Sequence, residues 1–323
     1  MNKKILVTGS SGFIGGALVE HLVKRGFNTI GASRNNTFIH PLYTFYKISS
    51  LEQGADWSTP LHNVDTVVHC AARAHILKEK VKSPIDEFRK INVEATLQLA
   101  KQACKAGVKR FIFISSIGVL GDETKRGIAF NESMPEDPKA IYAISKLEAE
   151  KALKKFAKSS GLELVIIRPA LVYDVHAPGN FSRLLKLADS ILPLPFKGVK
   201  NRRALIYLPN LIELITSCLT QKEAVGGLFL ASDGQSVPIS EIISKLREGM
   251  GRKTNIFWFP NCIIKALATM LGKKRIYTQL FRSLDIDTEH TKLTLGWSPT
   301  IETKDALIMV GKQYKLSKKG IIK

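Results

Sequence analysis

The sequence has 323 residues, of which 45% are hydrophobic, and a formal net charge of +20 at pH 7. This length suits one large α/β domain or two unequal lobes, and the apolar content is enough for a sizeable core. No stretch long enough to span a bilayer is both apolar and uncharged, so we expect no membrane-spanning helix. The four cysteines lie far apart, without a Cys-x-x-Cys pair or a histidine at metal spacing, which predicts free thiols and no metal site.

The excess of basic residues predicts attraction to polyanions, and three kinds fit: a phosphorylated small substrate, an anionic membrane surface and nucleic acid. Aromatic residues are not interleaved with the basic clusters, which disfavours a nucleic-acid surface. We interpret most of the charge as solvated helix faces, and weak peripheral membrane association is compatible with it. The chain enters a strand without an apolar signal segment, which predicts a cytoplasmic protein.

The first predicted element is a buried strand over Ile5 to Thr8, followed by glycines at a spacing of three and an amphipathic helix. Such a turn gives a pyrophosphate free N–H groups and the positive end of the helix dipole. Glycine lets the backbone approach the ligand closely. The pattern predicts a dinucleotide site, with a tight turn in an unrelated α/β protein as the alternative. The candidate residues of this turn are Gly9, Ser11, Gly12, Phe13, Ile14 and Gly15.

The second predicted strand, 27–33, ends at Ser33 and Arg34. At this distance from the glycines, an acidic residue would bind the adenine ribose of NAD, whereas an arginine accommodates the 2′-phosphate of NADP. No acidic residue occurs at this position, whereas an arginine, Arg34, does. We therefore favour NADP(H) as the cofactor, with NAD(H) as the alternative and a solvated loop residue as the other interpretation of Arg34.

Strands and helices alternate through the following part of the chain, which implies right-handed βαβ units and a parallel sheet. The spacing predicts one long helix and four further buried strands, at 87–106 and at 64–72, 108–116, 162–167 and 227–231.

The segment 256–271 is apolar but contains Pro260, Asn261 and Lys265. This charge content favours a buried helix of a small second lobe over a helix that rests on a membrane.

The candidate catalytic residues are Ser116, Tyr142 and Lys146. Tyr142 and Lys146 are four residues apart, so on a helix they share one face. A neighbouring ammonium favours the phenolate form, so we expect the pKa of Tyr142 to shift from about 10 towards working pH. Ser116 ends a predicted strand, where a parallel sheet forms its ligand crevice, and its hydroxyl could hold a substrate oxygen.

These elements resemble the extended short-chain dehydrogenase/reductases, the NAD(P)-dependent nucleotide-sugar epimerases, dehydratases and 4-keto reductases. The resemblance implies an α/β Rossmann fold with a doubly wound parallel sheet of seven strands and a smaller C-terminal substrate-binding lobe. It places the cofactor domain at 1–172, with a return segment at about 203–233, and the substrate lobe mainly at 173–323. The motifs that carry it are Thr8-Gly9-x-x-Gly12-x-x-Gly15, His69-x-Ala71-Ala72, Asn92-Val93-x-x-Thr96, Ser115-Ser116-x-x-Val119-x-Gly121, Tyr142-x-x-x-Lys146 and Arg168-Pro169.

The resemblance also implies roles for residues that spacing alone does not identify. Ala71, Ala72 and Asn92 would lie at the cofactor, together with Tyr142 and Lys146. A UDP-sugar would be the substrate, and a homodimer is expected. Ser116 would contact the sugar, and the candidates for the sugar-nucleotide diphosphate are Asn180, Arg203 and Arg282, although both arginines also fit a plain surface role.

The position after Ser116 narrows the reaction. Dehydratases of this family carry an Asp-Glu pair there, whereas this chain has Ile117 and Gly118, so we expect no 4,6-dehydratase. The nearest resemblance is to reductases that form UDP-N-acetylquinovosamine for lipopolysaccharide and other surface polysaccharides. A UDP-hexose or UDP-N-acetylhexosamine 4-epimerase is the close alternative, and a lipid-diphosphate-linked sugar is a further substrate class. A regulatory Rossmann protein without turnover is the non-enzyme alternative.

Overall fold

The computed structural model describes residues 3–36, 38–48, 54–74 and 83–321. Strands β1 to β11 lie at Lys4–Thr8, Asn28–Ser33, Tyr43–Lys47, Thr66–His69, Arg110–Ile114, Glu163–Pro169, Leu171–Tyr173, Leu194–Lys197, Leu205–Tyr207, Leu228–Ala231 and Ile256–Trp258. Helices α1 to α11 lie at Phe13–Lys24, Pro84–Arg89, Ala95–Lys105, Ile141–Ser160, Asn180–Asp189, Leu208–Thr220, Ile239–Gly249, Asn261–Met270, Lys274–Phe281, Glu289–Leu295 and Thr303–Lys318.

Seven strands form one parallel sheet in the order β10-β6-β5-β4-β1-β2-β3. The chain leaves the centre at β1, builds outward to β3, returns to β4 and then builds outward on the other side. This reversal beside β1 is the switch point at which open α/β sheets bind ligands. The predicted doubly wound Rossmann fold is confirmed.

The two faces of the sheet are covered because side chains alternate along each strand. Ile5 and Val7 point to the face covered by α1 and α6, and both are fully buried in that cluster. Leu6 points to the opposite face, where it packs in a cluster with residues of α3 and α4. Helices on both faces explain why the strands are continuously apolar instead of alternating with polar residues.

A separate apolar cluster lies in the C-terminal part of the chain. It joins α5, α7 and α11 with β8, through buried side chains that include Phe181, Leu185, Ile243 and Leu307. β8 pairs with β11, and β7 pairs with β9, in two small parallel sheets. The polypeptide returns to the large sheet at β10, which pairs with β6.

Two predicted helices differ from the structure. The single helix over 87–106 is instead α2, a π-helical turn at Lys90–Glu94 and α3. The prediction of a buried helix in 256–271 was wrong, since α8 has no buried residue. The apolar residues of α8 recur at helical spacing, but their side chains point away from the protein. Among the described residues, no helix is long and apolar enough to cross a bilayer.

Candidate functional site

The glycine turn after β1 is a tight cradle open to the start of α1. Gly9 has φ +69°, and a Cβ there would lie 2.9 Å from Cα of Ala71. A Cβ on Gly15 would lie 2.3 Å from the carbonyl oxygen of Gly9, so only glycine fits. Gly12 caps α1 without a side-chain hydrogen bond, and the first turn of the helix has no acidic residue. The backbone N–H groups at the start of α1 and the positive end of its dipole therefore face the turn with no carboxylate beside them. This is the environment that a pyrophosphate requires.

The far end of the turn meets the end of β2 at two serines. Ser10 donates a hydrogen bond to Ser33 (Oγ–Oγ 3.2 Å), and Ser33 donates to the carbonyl oxygen of Asn35 (2.7 Å). Arg34 is exposed, and within the described part of the chain its guanidinium has no hydrogen-bond or ion-pair partner. It is therefore free to meet a phosphate.

Tyr43 on β3 was not predicted as part of this region. Its hydroxyl occupies the space in which a Cβ of Gly31 would lie, at 2.1 Å, and its ring forms part of the core beside α1. Burial raises the pKa of the Tyr43 phenol, and the nearby Ser10 side chain acts in the opposite direction. The glycine inside a strand was the available sequence signal, because it marks a close approach of another group.

Asn92 holds the segment after β4. Its amide oxygen accepts from the backbone N–H of Arg73 (2.8 Å), and its amide nitrogen donates to the Arg73 carbonyl (3.1 Å) and to Ser145 Oγ (2.9 Å). These bonds connect the π-helical turn to the segment after β4, which contains Ala71 and Ala72, and to α4. The side chain therefore positions the edge of the cleft.

His69, the last residue of β4, is buried and neutral. One ring nitrogen contacts Thr8 Oγ1 at 2.8 Å and the other contacts Thr96 Oγ1 at 2.9 Å. Burial, with a smaller contribution from the charge of Lys146, lowers the pKa of the imidazole to about 3. His69 thus cross-links β1, β4 and α3 at the carboxyl edge of the sheet, a role the motif alone did not indicate.

Lys146 is 2% exposed and reaches the end of β5. Its ammonium donates to the carbonyl oxygen of Ile114 (2.8 Å) and lies 4.4 Å from the centre of the Phe113 ring. Burial lowers the pKa of the ammonium to about 8, while the charge of the Glu150 carboxylate acts in the opposite direction. The lysine thus remains mostly charged at pH 7 in a site shielded from water.

Tyr142 lies in the first turn of α4, one turn before Lys146. The ammonium is 5.9 Å from the centre of the phenol ring. Burial raises the pKa of the phenol to about 12, so the expected shift towards neutral pH is the wrong direction for this structure. The physical reason is that the ammonium is bound to the Ile114 carbonyl and the Phe113 ring, and desolvation of the phenol dominates.

Ser116 caps the N-terminus of a 3₁₀ turn, Ile117–Val119, and lies two residues after the end of β5. Its hydroxyl accepts a hydrogen bond from the backbone N–H of Gly118 (3.1 Å) and can still donate one. A Cβ on Gly118 would lie 3.4 Å both from Ser116 Oγ and from the Ala143 side chain. These distances are ordinary van der Waals contacts, and they show that the serine turn packs against the first turn of α4, close to Tyr142.

A buried ion pair beneath Lys146 is a feature that sequence reasoning missed. Glu150 follows Lys146 by one helical turn and accepts a hydrogen bond from Ser115. Its carboxylate binds the Arg168 guanidinium in a bidentate pair, at 3.0 and 2.6 Å, with both side chains 1% exposed. The spacing Tyr142, Lys146, Glu150 on one helical face was the signal that could have revealed it.

The predicted diphosphate residues lie in the C-terminal part of the chain. The guanidinium of Arg203 is buried, which lowers its pKa to about 10, and it donates to the Arg282 carbonyl (3.3 Å). The Arg282 guanidinium forms an ion pair with Glu123. Asn180 is exposed and begins α5 directly after Gly179. The structure thus connects Arg203 with the Arg282 backbone, while the charge of Arg282 already has a partner.

The comparison with known proteins decides the family. Residues 5–229 match the NAD dependent epimerase/dehydratase family. This chain belongs to that family. The resemblance inferred from the motifs is confirmed, and with it the expectation of an NAD(P)-dependent nucleotide-sugar enzyme.

Individual family members extend the similarity to nearly the whole chain. A UDP-glucose 4-epimerase of Vibrio cholerae is 38% identical over 300 residues, covering 93% of this chain and 92% of the relative. An N-acetyl-α-D-glucosaminyl-diphospho-ditrans,octacis-undecaprenol 4-epimerase of Escherichia coli O157:H7 is 27% identical over 78% of this chain and 74% of its own length. The solved UDP-glucuronic acid 4-epimerase of Bacillus cereus with UDP-glucuronic acid and NAD shares the fold, with a TM-score of 0.77, 22% identity and coverage of 98% and 99%.

Proposed function

We propose that this chain oxidises and reduces C4 of a UDP-linked hexose or N-acetylhexosamine, with 4-epimerisation as the net reaction. The observation that supports 4-epimerisation is the sequence identity of 38%, over 93% of this chain, with a protein described as UDP-glucose 4-epimerase. For this reason we propose the 4-epimerase first and keep the 4-keto reductase, which the motifs favoured, as the second candidate.

The residues present fit a dinucleotide. The cradle at Gly9 and Gly15 has no room for a Cβ, and the start of α1 is uncapped by any side chain. Both features match the demands of a pyrophosphate. When bound there, the nicotinamide of NAD or NADP supplies hydride transfer to and from a sugar carbon.

The chain's own contribution is the handling of the C4 oxygen and its proton. Tyr142, whose pKa of about 12 keeps it protonated at neutral pH, is ready to donate to that oxygen in the reductive half of the reaction. In the oxidative half the C4 hydroxyl proton passes to the phenolate form of Tyr142, which is the form that proton donation in the reductive half leaves behind. Ser116 donates a hydrogen bond to the C4 oxygen, and Lys146 holds a positive charge one helical turn away.

A 4-keto reductase that uses NADP(H) is the second candidate, and Arg34 favours it. An exposed guanidinium directly after β2, with no partner among the residues that the structure describes, suits the 2′-phosphate of NADP. A reductase consumes an exchangeable NADPH, whereas an epimerase restores its coenzyme in each turnover. A lipid-diphosphate-linked sugar is a further substrate class, supported by the relative described with an undecaprenol-linked sugar. The homodimer, the cytoplasmic location and the place in lipopolysaccharide biosynthesis stay predictions.

One experiment separates these activities. The protein is incubated with UDP-GlcNAc, UDP-glucose or UDP-4-keto-6-deoxy-GlcNAc, with NAD⁺ or NADPH, and the products are identified by NMR. A 4-epimerase interconverts the first two sugars with their galacto forms and leaves NADPH unconsumed. Stoichiometric NADPH oxidation with the keto sugar alone would establish the reductase instead. No product from any sugar with either coenzyme would contradict C4 chemistry on UDP-sugars.

A further inference from the structure

Helix α8 presents an apolar stripe to the outside of the protein. Ile263, Leu267, Met270 and Leu271 are 45%, 50%, 83% and 68% exposed. Their spacing of i, i+4, i+7 and i+8 places all four on one side of the helix, with Leu271 as the residue that follows its last turn. A helix of a globular protein normally turns such a stripe towards the core, so its outward orientation marks a surface that binds something.

The stripe continues onto the strand that precedes the helix. Phe257 and Trp258 of β11 are 40% and 66% exposed, and the Trp258 ring lies against Gly198, where a Cβ would be 3.3 Å from the ring. Phe257, Trp258, Ile263, Leu267, Met270 and Leu271 are together called the outer patch. An aromatic residue beside aliphatic side chains is the composition that membrane interfaces favour.

The outer patch lies in a stretch with charges of one sign only. Residues 249–284 contain seven lysines and arginines and no aspartate or glutamate. Lys265 is exposed within α8 itself, and Lys253 and Lys273 are exposed on either side of the patch. Apolar side chains surrounded by basic ones match an anionic bilayer, which offers acyl chains and negative headgroups at the same surface.

A second copy of the chain fits this surface poorly. A two-fold interface would bring the same patch against itself, so the basic residues of both copies would face each other without a carboxylate from this stretch. Nucleic acid would neutralise the lysines but would leave the aliphatic stripe in contact with phosphates and water. Of these three partners, the lipid surface is the one that satisfies both the charge and the apolar stripe.

We infer that the outer patch docks this protein on the anionic surface of a lipid bilayer, with α8 lying in the plane of the interface. The inference concerns a partner and is independent of the sugar proposed above. The eight-residue helix α9 links the patch to Arg282, a distance of about 12 Å along its axis. Docking therefore brings this part of the candidate substrate lobe close to the membrane.

Vesicle binding tests the inference, and the chain carries its own reporter. Of its three tryptophans, Trp57 and Trp297 are buried and Trp258 is 66% exposed. With phosphatidylcholine vesicles that contain phosphatidylglycerol, we expect co-sedimentation and a blue shift of tryptophan fluorescence that W258F abolishes. Vesicles of phosphatidylcholine alone, or high salt, should weaken binding, because the basic residues lose their attraction.

The decisive variant is the double substitution Leu267→Glu with Met270→Glu, which should reduce vesicle partitioning at least about tenfold. Leu293→Glu with Met309→Glu is the control matched in charge, since Leu293 of α10 and Met309 of α11 are 75% and 41% exposed and lie outside the patch. Both variants should keep their turnover of UDP-sugars in solution, so loss of docking and failure of the proposed reaction are distinguishable. Equal partitioning of the two variants, or equal binding to neutral and anionic vesicles, would overturn the inference. So would a patch variant that only converts a dimer to a monomer.

Discussion

Two buried groups, His69 and Asp233, should give opposite contributions to the pH dependence of stability. The pKa of His69 is lowered to about 3 by burial, so below pH 6.5 the unfolded chain binds a proton that the folded protein rejects. Stability from this group therefore falls as pH falls from 6.5 towards 3. The pKa of Asp233 is raised to about 6, so the folded protein binds the proton first and stability from this group rises as pH falls through 6.

The size of each contribution follows from the shift. Between pH 7 and pH 5, His69 lowers the free energy of unfolding by about 2 kcal/mol, because the unfolded imidazole takes up its proton in this range. Over the same range Asp233 raises it by about 1 kcal/mol. The pKa of the Asp233 carboxyl stays at about 6 although Asn210, Tyr173 and the Tyr207 backbone donate hydrogen bonds to it, because desolvation is the larger effect. The two contributions largely cancel in the unmodified protein.

Urea unfolding at pH 7 and pH 5 separates them. His69→Gln should make the change in stability on acidification more favourable by about 2 kcal/mol than in the unmodified protein. Asp233→Asn should make it less favourable by about 1 kcal/mol. Other titrating groups contribute equally to all three proteins and drop out of the comparison. Each substitution also has a cost at both pH values, on the order of 1–3 kcal/mol, so only the difference between the two pH values counts.

An unchanged pH response in His69→Gln would refute the reasoning. It would mean that the imidazole is accessible to protons in the folded protein, and the contacts of His69 with Thr8 and Thr96 would then be wrong. Since these contacts join the first and fourth strands at the cleft, the described geometry of the neighbouring glycine turn would then also be wrong.

Three further substitutions address the candidate site. Tyr142→Phe should lower turnover by roughly 10²–10⁴, measured by NMR with the active sugar, while coenzyme binding stays near normal. Arg34→Ala should weaken NADPH binding roughly 10- to 100-fold in fluorescence titrations and leave NADH nearly unaffected, because only NADPH carries the 2′-phosphate. Gly9→Ala should destabilise the protein by about 1–3 kcal/mol in urea unfolding and impair coenzyme binding, since its Cβ would meet Ala71.

Each of these has a control within the chain. Unchanged turnover in Tyr142→Phe would remove the phenol from the proton transfer. Arg25→Ala removes an exposed guanidinium elsewhere, and an equal effect on NADPH would show that Arg34 acts only through net charge. Gly26 also has a positive φ, of +82°, but a Cβ there meets nothing within 4 Å. If Gly26→Ala cost as much as Gly9→Ala and impaired the coenzyme equally, the contact with Ala71 would not matter.

The sequence predicted those parts of the site that depend on local spacing. Three glycines between a strand and a helix, and a tyrosine four residues before a lysine, determine their geometry within a few turns of chain. The Glu150–Arg168 pair and the hydroxyl of Tyr43 over Gly31 depend instead on how different elements, α4 with β6 and β2 with β3, are placed against each other. Their positions follow from strand order, which residue spacing does not reveal.

Helix α8 shows a different limit of prediction. Its period gave the correct element, yet the apolar face is the exposed one. An apolar stripe at helical spacing indicates that a partner covers it and does not say whether that partner is the same chain. The surrounding basic residues and the absence of acidic ones carry that information.

The state of Lys146 shows why the fold, and not the spacing, determines the chemistry. On an isolated helix its ammonium would lie near the phenol of Tyr142 and in water. In the structure the end of β5 provides a carbonyl oxygen and an aromatic face, and burial brings the pKa to about 8. The opposing charge of Glu150 limits that fall, and Glu150 is itself held by Arg168 of β6. A positive charge beside the phenol therefore persists at neutral pH because two strands and one helix meet at this point.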